Sequence, residues 1–338
     1  MNQRKLLGII TVAAIFGLPL PGNAAQSQLR LGATTATSSL IMFVAVDKGF
    51  FSKHGIDVKL FVRNTGPELS KSLDAGEIDF APAAITNIPV ALERGLNVRA
   101  VVNYIGNTYS SETDDNTMGI VVRGNSGINS IADLKGKKLG STFGTGSDLY
   151  LLDVMKKNGI PTSALERVNV PQPSMASLLE AGGVHGMVGW EPYVTIMLDR
   201  VKESRVLIRG GGHTCFCGSL HGKPDILARE PRLVQAFVDA LAEAAKFARD
   251  PKNLDENAQI ATRYIRGLNA DIVKRTHRFW TYDARLGTNT FKAFNRSVDM
   301  LIEQKKMKKA YDPARYYDLT YIKRTMERHP EWFSDLPK

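Results

Sequence analysis

Residues 38–62, SSLIMFVAVDKGFFSKHGIDVKLFV, place a helix and a strand one after the other and predict an α/β fold. Ser38 and Ser39 are N-cap candidates before the apolar run, and Gly49 is a residue that commonly ends a helix. The segment IDVKLFV has the apolar and β-branched composition of a strand. The expected local unit is therefore a helix that leads into a strand.

The same alternation continues on both sides of this segment. LRLG at residues 29–32 predicts a preceding strand, and four further segments predict helix, strand, helix and strand in turn: GPELSKSLDAG, IDFAPAA, NIPVALERG and VRAVVNYI. Pro67 lies where the first turn of its helix is expected, a position that tolerates proline. Alternating elements of this size favour a parallel sheet with helices on its faces.

A second unit of the same kind follows. GIVVRGNSGI, LERVNV and VHGMVGW predict strands, whereas GTGSDLYLLDVMKKNG and PYVTIMLDRV predict helices. From Pro231 onward the pattern becomes mainly helical, with apolar residues near one face. A chain of 338 residues also exceeds one ordinary hydrophobic core, so we expect two domains.

The N-terminus has the three parts of a secretory signal peptide. A basic head at residues 1–5 precedes an apolar run from Leu6 to Leu20 that is too short to span a bilayer, and small residues follow it. We expect residues 1–25 to be removed by cleavage near Ala24 or Ala25. The predicted location of the mature protein is the periplasm.

Composition and motifs exclude several function classes. The net charge of +10 is not gathered into a basic surface interleaved with aromatic residues, so we expect no nucleic-acid partner. The six histidines are scattered, and the glycine-rich nucleotide motifs and the usual hydrolase and metalloprotease motifs are missing. The prediction is a non-enzymatic protein without a cofactor.

Ligands of open α/β sheets bind beyond the carboxyl ends of the strands, which selects five loops. They are residues 35–39, 65–68, 83–87, 142–147 and 189–192. The candidate ligand-binding residues are Thr37, Ser38, Ser39, Pro67, Ala84, Asn87, Thr145, Gly146, Ser147, Trp190 and Glu191.

Two of these loops suggest particular chemistry. Thr145 opens a helix directly after a strand, and free N–H groups at a helix N-terminus suit an anion. Trp190 can stack on a planar ligand and Glu191 can accept hydrogen bonds from an amine. The alternative is structural: the hydroxyls cap helices, Trp190 packs at a lobe edge, and Glu191 lies in a first helical turn. An unpaired Glu191 would also repel an anion, unless it pairs with a cation or points away.

Five segments together resemble the substrate-binding proteins of bacterial ABC importers, in the nitrate, sulfonate, taurine and thiamin-pyrimidine-precursor group. They are VAVDKGFFSKHGIDVKL, SLDAGEIDFAPAA, ALERGLNVRAVV, SGINSIADLKGKKLG and LLEAGGVHGMVGWEPY. The resemblance implies a type II periplasmic binding protein, with two α/β lobes joined by a two-stranded hinge. Lobe 1 would comprise residues 26–122 and 216–338, with the C-terminal helices, and lobe 2 residues 123–215.

The resemblance also implies the function. We expect a monomeric solute-binding protein that closes on a small-molecule ligand and delivers it to the membrane permease of an ABC importer. The expected ligand is a small anion of the sulfonate, taurine or nitrate kind. The second alternative is a pyrimidine or thiamin precursor, or another heteroaromatic amine, and the third is an iron-dependent thiamin-pyrimidine synthase.

The stretch HTCFCG at residues 213–218 bears on that third alternative. The synthases of the superfamily carry a Cys-Cys-Cys-Phe-Cys iron motif, which Cys215, Phe216 and Cys217 match, whereas His213 and Thr214 replace its first two cysteines. Asn87 stands where the family's reactive histidine is expected. Three alternatives remain for this stretch: a metal site of His213, Cys215 and Cys217, a disulfide, or two small buried thiols. We favour the two thiols.

Overall fold

The computed structural model describes residues 27–338. The predicted signal peptide and its cleavage site lie outside the described residues. None of the helices in the described part combines the length and the apolar character needed to cross a bilayer.

The described residues form ten strands in two five-stranded sheets. The strands are β1 (Ser27–Thr34), β2 (Ile56–Arg63), β3 (Phe80–Ala84), β4 (Arg99–Ile105), β5 (Met118–Val122), β6 (Lys138–Ser141), β7 (Glu166–Asn169), β8 (Gly186–Trp190), β9 (Arg205–Arg209) and β10 (Gly218–Gly222). The order is β2-β1-β3-β10-β4 in the first sheet and β7-β6-β8-β5-β9 in the second. The predicted two-lobe α/β architecture is confirmed.

Thirteen α-helices of the described residues cover and connect the sheets. They are α1 (Leu40–Asp47), α2 (Phe50–Lys53), α3 (Gly66–Asp74), α4 (Ile88–Glu93), α5 (Gly146–Lys157), α6 (Met175–Glu180), α7 (Tyr193–Arg200), α8 (Pro224–Arg229), α9 (Pro231–Arg249), α10 (Leu254–Tyr264), α11 (Ala270–His277), α12 (Thr288–Glu303) and α13 (Thr320–Arg328). Short 3₁₀ helices lie at Thr37–Ser39, Gly124–Ser126, Ile131–Leu134, Thr162–Ala164, Gln172–Ser174, Pro251–Asn253, Pro313–Arg315 and Pro330–Phe333.

Each sheet contains one antiparallel strand that arrives from the other lobe. In the first sheet β1 pairs in parallel with β2 and β3, whereas β10 runs antiparallel to β3 and β4. In the second sheet β6 pairs in parallel with β7 and β8, whereas β5 runs antiparallel to β8 and β9. A strand that enters from the opposite lobe begins at the end of the sheet where the parallel strands finish. It therefore runs in the reverse direction.

The position of β5 corrects the predicted lobe boundary at residue 122. Met118–Val122 was expected in lobe 1, but its main chain pairs with β8 and β9 of the second sheet. The chain therefore leaves the first lobe before Met118. The return strand β10 starts at Gly218, and neither it nor β9 was predicted, because GSLHG lacks the alternation of a strand and RVLIR follows a predicted helix directly.

Both sheets and the first helix contribute buried apolar side chains to the hydrophobic core. Leu40 to Ala45 are all buried, so α1 is apolar on every side, as expected of a helix enclosed by other elements. It packs against α9 and α10, and α9 also covers α2 and β4. The C-terminal helices thus complete the first lobe.

Hydrogen bonds to Asp114 and Asp115 join the two chain segments that cross between the lobes. Asp115 accepts main-chain N–H bonds from Gly212 (3.1 Å), His213 (2.7 Å) and Thr214 (3.1 Å). The carbonyl oxygen of Asp114 accepts a hydrogen bond from the N–H of Phe216 at 2.8 Å. The outgoing and returning segments therefore form one hydrogen-bonded pair rather than two independent linkers.

Ion pairs also connect the lobes on both flanks. Helix α12 packs against α4 of the first lobe and α5 of the second. Beside it, Lys306 lies 2.6 Å from Asp148, and Lys156 pairs with Glu303 at 2.7 Å. On the other flank, a guanidinium nitrogen of Arg275 on α11 donates to Asp199 on α7 at 3.0 Å.

His221 lies at the centre of the first sheet. It is fully buried on β10 opposite Ala81 and Ala100, and its Nδ1 is 3.0 Å from the Tyr316 hydroxyl. Burial lowers the pKa of His221 to about 3. A neutral imidazole is therefore built into the folded state.

This depressed pKa predicts a pH-dependent stability. Unfolded histidine titrates near pH 6.5, so between about pH 3 and pH 6.5 the unfolded chain binds a proton that the folded chain does not. The stabilisation is complete above pH 6.5 and falls by about 3 kcal/mol by pH 4. Denaturant unfolding of the native protein and of His221→Gln at several pH values measures it. The variant should lose less stability on acidification, and parallel curves would contradict the assignment.

Candidate functional site

A small cavity of about 50 Å³ lies between the two lobes. The first lobe contributes its wall from the ends of β1, β2 and β3, and the second from the start of α5, the end of β8 and the loop after β7. This is the edge of each parallel sheet at which ligand binding is expected. Residues of both lobes thus line one cavity.

Seven of the predicted site residues line this cavity. They are Ser38, Pro67, Ala84, Asn87, Thr145, Gly146 and Trp190. The structure therefore brings together residues that are as far apart in sequence as Ser38 and Trp190. Each of the five loops selected by the strand-end rule contributes at least one of these residues.

Three predicted hydroxyl residues lie behind the wall instead. Ser39 Oγ accepts the main-chain N–H of Thr34 at 2.9 Å, and Ser147 Oγ accepts that of Thr142 at 3.2 Å. Thr37 is buried, and its carbonyl oxygen accepts a hydrogen bond from Tyr282 at 3.0 Å. Ser39 and Ser147 thus hold the loops in place, and the hydroxyl of neither serves as the helix cap that the sequence predicted.

Three helices begin at the cavity wall. These are α3 at Gly66, α4 after Asn87 and α5 after Thr145. The side chains of Asn87 and Thr145 make no capping hydrogen bond, and Thr145 Oγ1 instead donates to the carbonyl of Thr142 at 2.7 Å. The N-termini of α4 and α5 thus meet the cavity without a side-chain cap, whereas Thr65 caps α3 by accepting the main-chain N–H of Glu68.

Among residues 27–338, no charged side chain lines the cavity. Asp148, in the first turn of α5, is buried, and its charge is balanced by Arg167 at 2.8 Å and Lys306 at 2.6 Å. The other polar groups of the wall are hydroxyls and amides. Tyr104 is one of them, and burial raises its pKa, which keeps its hydroxyl protonated and able to donate.

Glu191 does not line the cavity. Its carboxylate is fully buried, pairs with Arg209 at 2.7 Å and accepts the N–H of Thr195 at 3.1 Å. Arg209 also lies over the ring of Phe279, 4.0 Å from its centroid. The expected conflict between Glu191 and an anion is thus removed because a cation neutralises the carboxylate.

Aromatic rings close one side of the cavity. Trp190 and Phe216 both line it, with ring centroids 5.2 Å apart, and Trp280 lies 6.1 Å behind Phe216. A Cβ atom on Gly146 would come within 2.8 Å of the Phe216 ring. The close approach of α5 to this ring therefore depends on a glycine at that position.

The structure of the HTCFCG stretch contradicts our favoured interpretation of two free thiols. Cys215 and Cys217 form a disulfide rather than two thiols. Their Cα atoms are 5.1 Å apart, within the range for a disulfide and shorter than the ~6.6 Å between alternate residues of an extended strand, so the backbone between them is bent. His213 does not join them: its Nδ1 lies 2.8 Å from Asp153. In the described part of the chain, no three His, Cys, Asp or Glu residues are grouped as metal ligands.

Several wall residues were missed by the sequence analysis. They are Thr34, Asn64, Tyr104, Gln172 and Phe216, whereas Ala36, Thr65 and Gly66 lie in selected loops but were not named as candidates. Asn64 and Gln172 follow the ends of β2 and β7, so the strand-end rule could have found them. Tyr104 lies within a strand and Phe216 in the crossing, and no local pattern marks either as part of the cavity.

The comparisons with known proteins agree with this arrangement. A family model described as "NMT1/THI5 like" matches residues 36–253, more than half of the chain. The chain belongs to the NMT1/THI5-like family.

Similar proteins of this family and fold include both binding proteins and an enzyme. A candidate aliphatic sulfonates-binding protein of Bacillus subtilis (strain 168) is 24% identical over 335 residues, covering 95% of this chain and 97% of the relative. A 4-amino-5-hydroxymethyl-2-methylpyrimidine phosphate synthase of Legionella pneumophila is 22% identical over 218 residues, covering 62% of this chain and 65% of the synthase.

A solved structure shows the same fold. The alkanesulfonate-binding protein SsuA from Xanthomonas axonopodis pv. citri, bound to MOPS, matches with a TM-score of 0.75 and 21% identity. The match covers 88% of this chain and 100% of that one. This NMT1/THI5-like chain therefore has the fold of a periplasmic binding protein.

The position of Glu191 predicts a structural effect of mutation. Glu191→Gln would leave Arg209 without its buried partner, and we expect the free energy of unfolding to fall by about 2 kcal/mol. Ligand affinity is expected to stay within about two-fold, because the carboxylate lies outside the cavity. Denaturant unfolding and calorimetric binding measure the two effects.

Glu180→Gln is the matched control. Glu180 pairs with Arg200 at 2.7 Å, but both side chains are about half exposed, so its loss is expected to cost less than about 0.5 kcal/mol. A loss of ligand affinity in Glu191→Gln without loss of stability would contradict the structural role.

Proposed function

We propose that this protein is a periplasmic solute-binding protein that delivers a small anion of the sulfonate, taurine or nitrate type to an ABC importer. One observation carries the proposal. The uncapped N-termini of α4 and α5, from opposite lobes, meet at one cavity, and among the described residues no charged side chain lines that cavity. Helix N-termini favour anions, and neutral hydroxyl and amide donors complete such a site.

The size of the cavity supports a small ligand group. Its volume of about 50 Å³ compares with the ~10 to 15 Å³ that one water molecule needs and about 150 Å³ for a cavity that binds benzene. In this closed arrangement the space suits nitrate or a sulfonate head group. A complete heteroaromatic ring would need the lobes to open further.

The absence of a base from the cavity supports binding rather than catalysis. No carboxylate, imidazole, thiol or amine is among the residues that line it. The similar synthase raises the alternative of an enzyme, but Asn87 occupies the position expected for the reactive histidine, and the two cysteines are joined in a disulfide. General acid–base chemistry needs a titratable group within reach of the substrate.

The second candidate ligand is a pyrimidine or another heteroaromatic amine. The rings of Trp190 and Phe216 in the cavity wall favour it, because aromatic faces stack on planar ligands. Glu191, which we expected to receive the amine, is occupied by Arg209 instead. The anion therefore remains the first candidate.

The partners follow from the same proposal. The permease of an ABC importer would receive the ligand from a monomeric binding protein that has closed on it. The similarity to the sulfonates-binding relative over almost the whole of both chains supports this assignment.

A ligand screen tests the proposal. We expect methanesulfonate, taurine or nitrate to raise the melting temperature, since a ligand at 100 times its Kd adds about 2.7 kcal/mol to the stability of the native state. Pyrimidine amines should have no effect at the same concentrations. Stabilisation by the pyrimidines alone would overturn the anion proposal.

Gly146→Ala tests the need for closure. The added Cβ would lie 2.8 Å from the Phe216 ring and 3.3 Å from Thr86 Oγ1 of the opposite lobe. We expect the Kd for the anion to rise about ten-fold, while the unliganded protein keeps its stability because alanine suits a helix.

Gly66→Ala is the matched control for Gly146→Ala. Gly66 also begins a helix at the cavity, but its added Cβ would meet Asn87 at an ordinary 3.7 Å. Titration calorimetry should find its Kd unchanged. An equal loss of affinity in the two variants would argue against closure as the cause.

A further inference from the structure

A second, larger cavity of about 720 Å³ adjoins the small one. Pro67, Asn87 and Thr145 contribute to the walls of both. The larger cavity lies between α3 and α4 of the first lobe and α5 of the second, and the end of α12 closes it. We call it the vestibule, because it lies beside the small cavity at the boundary between the lobes.

The vestibule carries an excess of positive charge. Lys71, Arg94 and Lys305 line it, and the side chain of none of them makes an ion pair or hydrogen bond with any other described residue. Lys306 also lines it but is paired with Asp148 at 2.6 Å. Asp74 is the one carboxylate among the lining residues.

The three unpaired cations are exposed, and what distinguishes them from paired lysines of the surface is that they line one shared space. Lys48, Lys53 and Lys156 each lie within 2.7 Å of a glutamate oxygen. The three vestibule cations come from separate elements, the middle of α3, the end of α4 and the residues after α12. Separate elements thus direct like charges to one space, which an anionic group would stabilise.

Between the cations, the vestibule wall is apolar. Ile88, Leu96, Leu149 and Leu301 contribute to it. Such a surface suits a short hydrocarbon segment that leads from the small cavity to the cations.

We propose that the ligand carries two anionic groups separated by a short apolar segment. The first group occupies the small cavity at the helix N-termini, and the second lies in the vestibule near Lys71, Arg94 and Lys305. The inference rests on the proposed function and adds a ligand class to it: a sulfonate with a second acidic group, rather than a simple alkanesulfonate.

Two sulfonates of equal length test the proposal. Butane-1-sulfonate ends in a methyl group, and 4-sulfobutanoate ends in a carboxylate at the same position. Exposed ion pairs contribute about 1.5- to 5-fold each, so we expect 4-sulfobutanoate to bind the native protein at least about 5-fold more tightly by titration calorimetry at low salt. The difference should shrink at 0.3 M NaCl, where screening is strong.

The variant Lys71→Met/Arg94→Met/Lys305→Met should remove this preference. Its affinity for butane-1-sulfonate should stay within about two-fold of the native value, because the small cavity is unchanged. The control Lys135→Met/Lys202→Met/Arg232→Met makes the same change in net charge at exposed residues that line neither cavity. It should keep the preference for 4-sulfobutanoate.

The remaining outcomes separate this inference from the proposed function. Equal binding of the two sulfonates by the native protein, or an equal loss in both triple variants, would overturn the vestibule assignment alone. Binding of nitrate without either sulfonate would also overturn it and leave the proposed anion function in place. If nitrate and both sulfonates all fail to bind, the proposed function itself fails.

Discussion

The three main-chain hydrogen bonds to the carboxylate of Asp115 hold the arrangement of the two lobes. They tie residues 212–214 of the returning segment to the outgoing segment, and the bond from Phe216 to Asp114 continues the pairing. Everything that meets at the cavity depends on this register, because Phe216 follows within a few residues. Burial of a carboxylate is favourable here since main-chain donors satisfy it.

The cavity recognises its ligand through dipoles rather than through charged side chains. The buried carboxylates nearest to it are already balanced, Asp148 by Arg167 and Lys306, and Glu191 by Arg209. The N-termini of α4 and α5 then supply partial positive charge at the wall itself. The vestibule differs in kind, because its cations are unpaired and its wall is largely apolar.

Local sequence patterns predicted the alternating elements and seven of the fifteen residues that line the cavity. Strand ends are recognisable from composition, and in an open α/β sheet they meet at one edge, which located Asn87, Thr145 and Trp190. The lobe boundary and β10 could not be found in the same way, because they depend on pairing between segments distant in sequence. GSLHG becomes a central strand only because β3 and β4 flank it.

The roles of individual side chains were harder to predict than their positions. Glu191 was expected at a strand end, but whether it faced a ligand depended on Arg209, which belongs to a strand that no pattern had marked. The cysteines were likewise interpreted as thiols because one intervening residue makes a tight ring, whereas a bend of the backbone brings their Cα atoms to 5.1 Å, a distance that a disulfide can span.

Because the wall of the small cavity is uncharged, ligand binding there is expected to be independent of the pH of the surroundings. Tyr104 is its one ionisable residue, and burial moves the pKa of that phenol upward, away from neutrality. A strong-acid anion such as a sulfonate or nitrate has no proton to exchange either. A compartment whose pH follows the external medium could therefore change between mildly acidic and neutral without altering how the cavity holds its ligand.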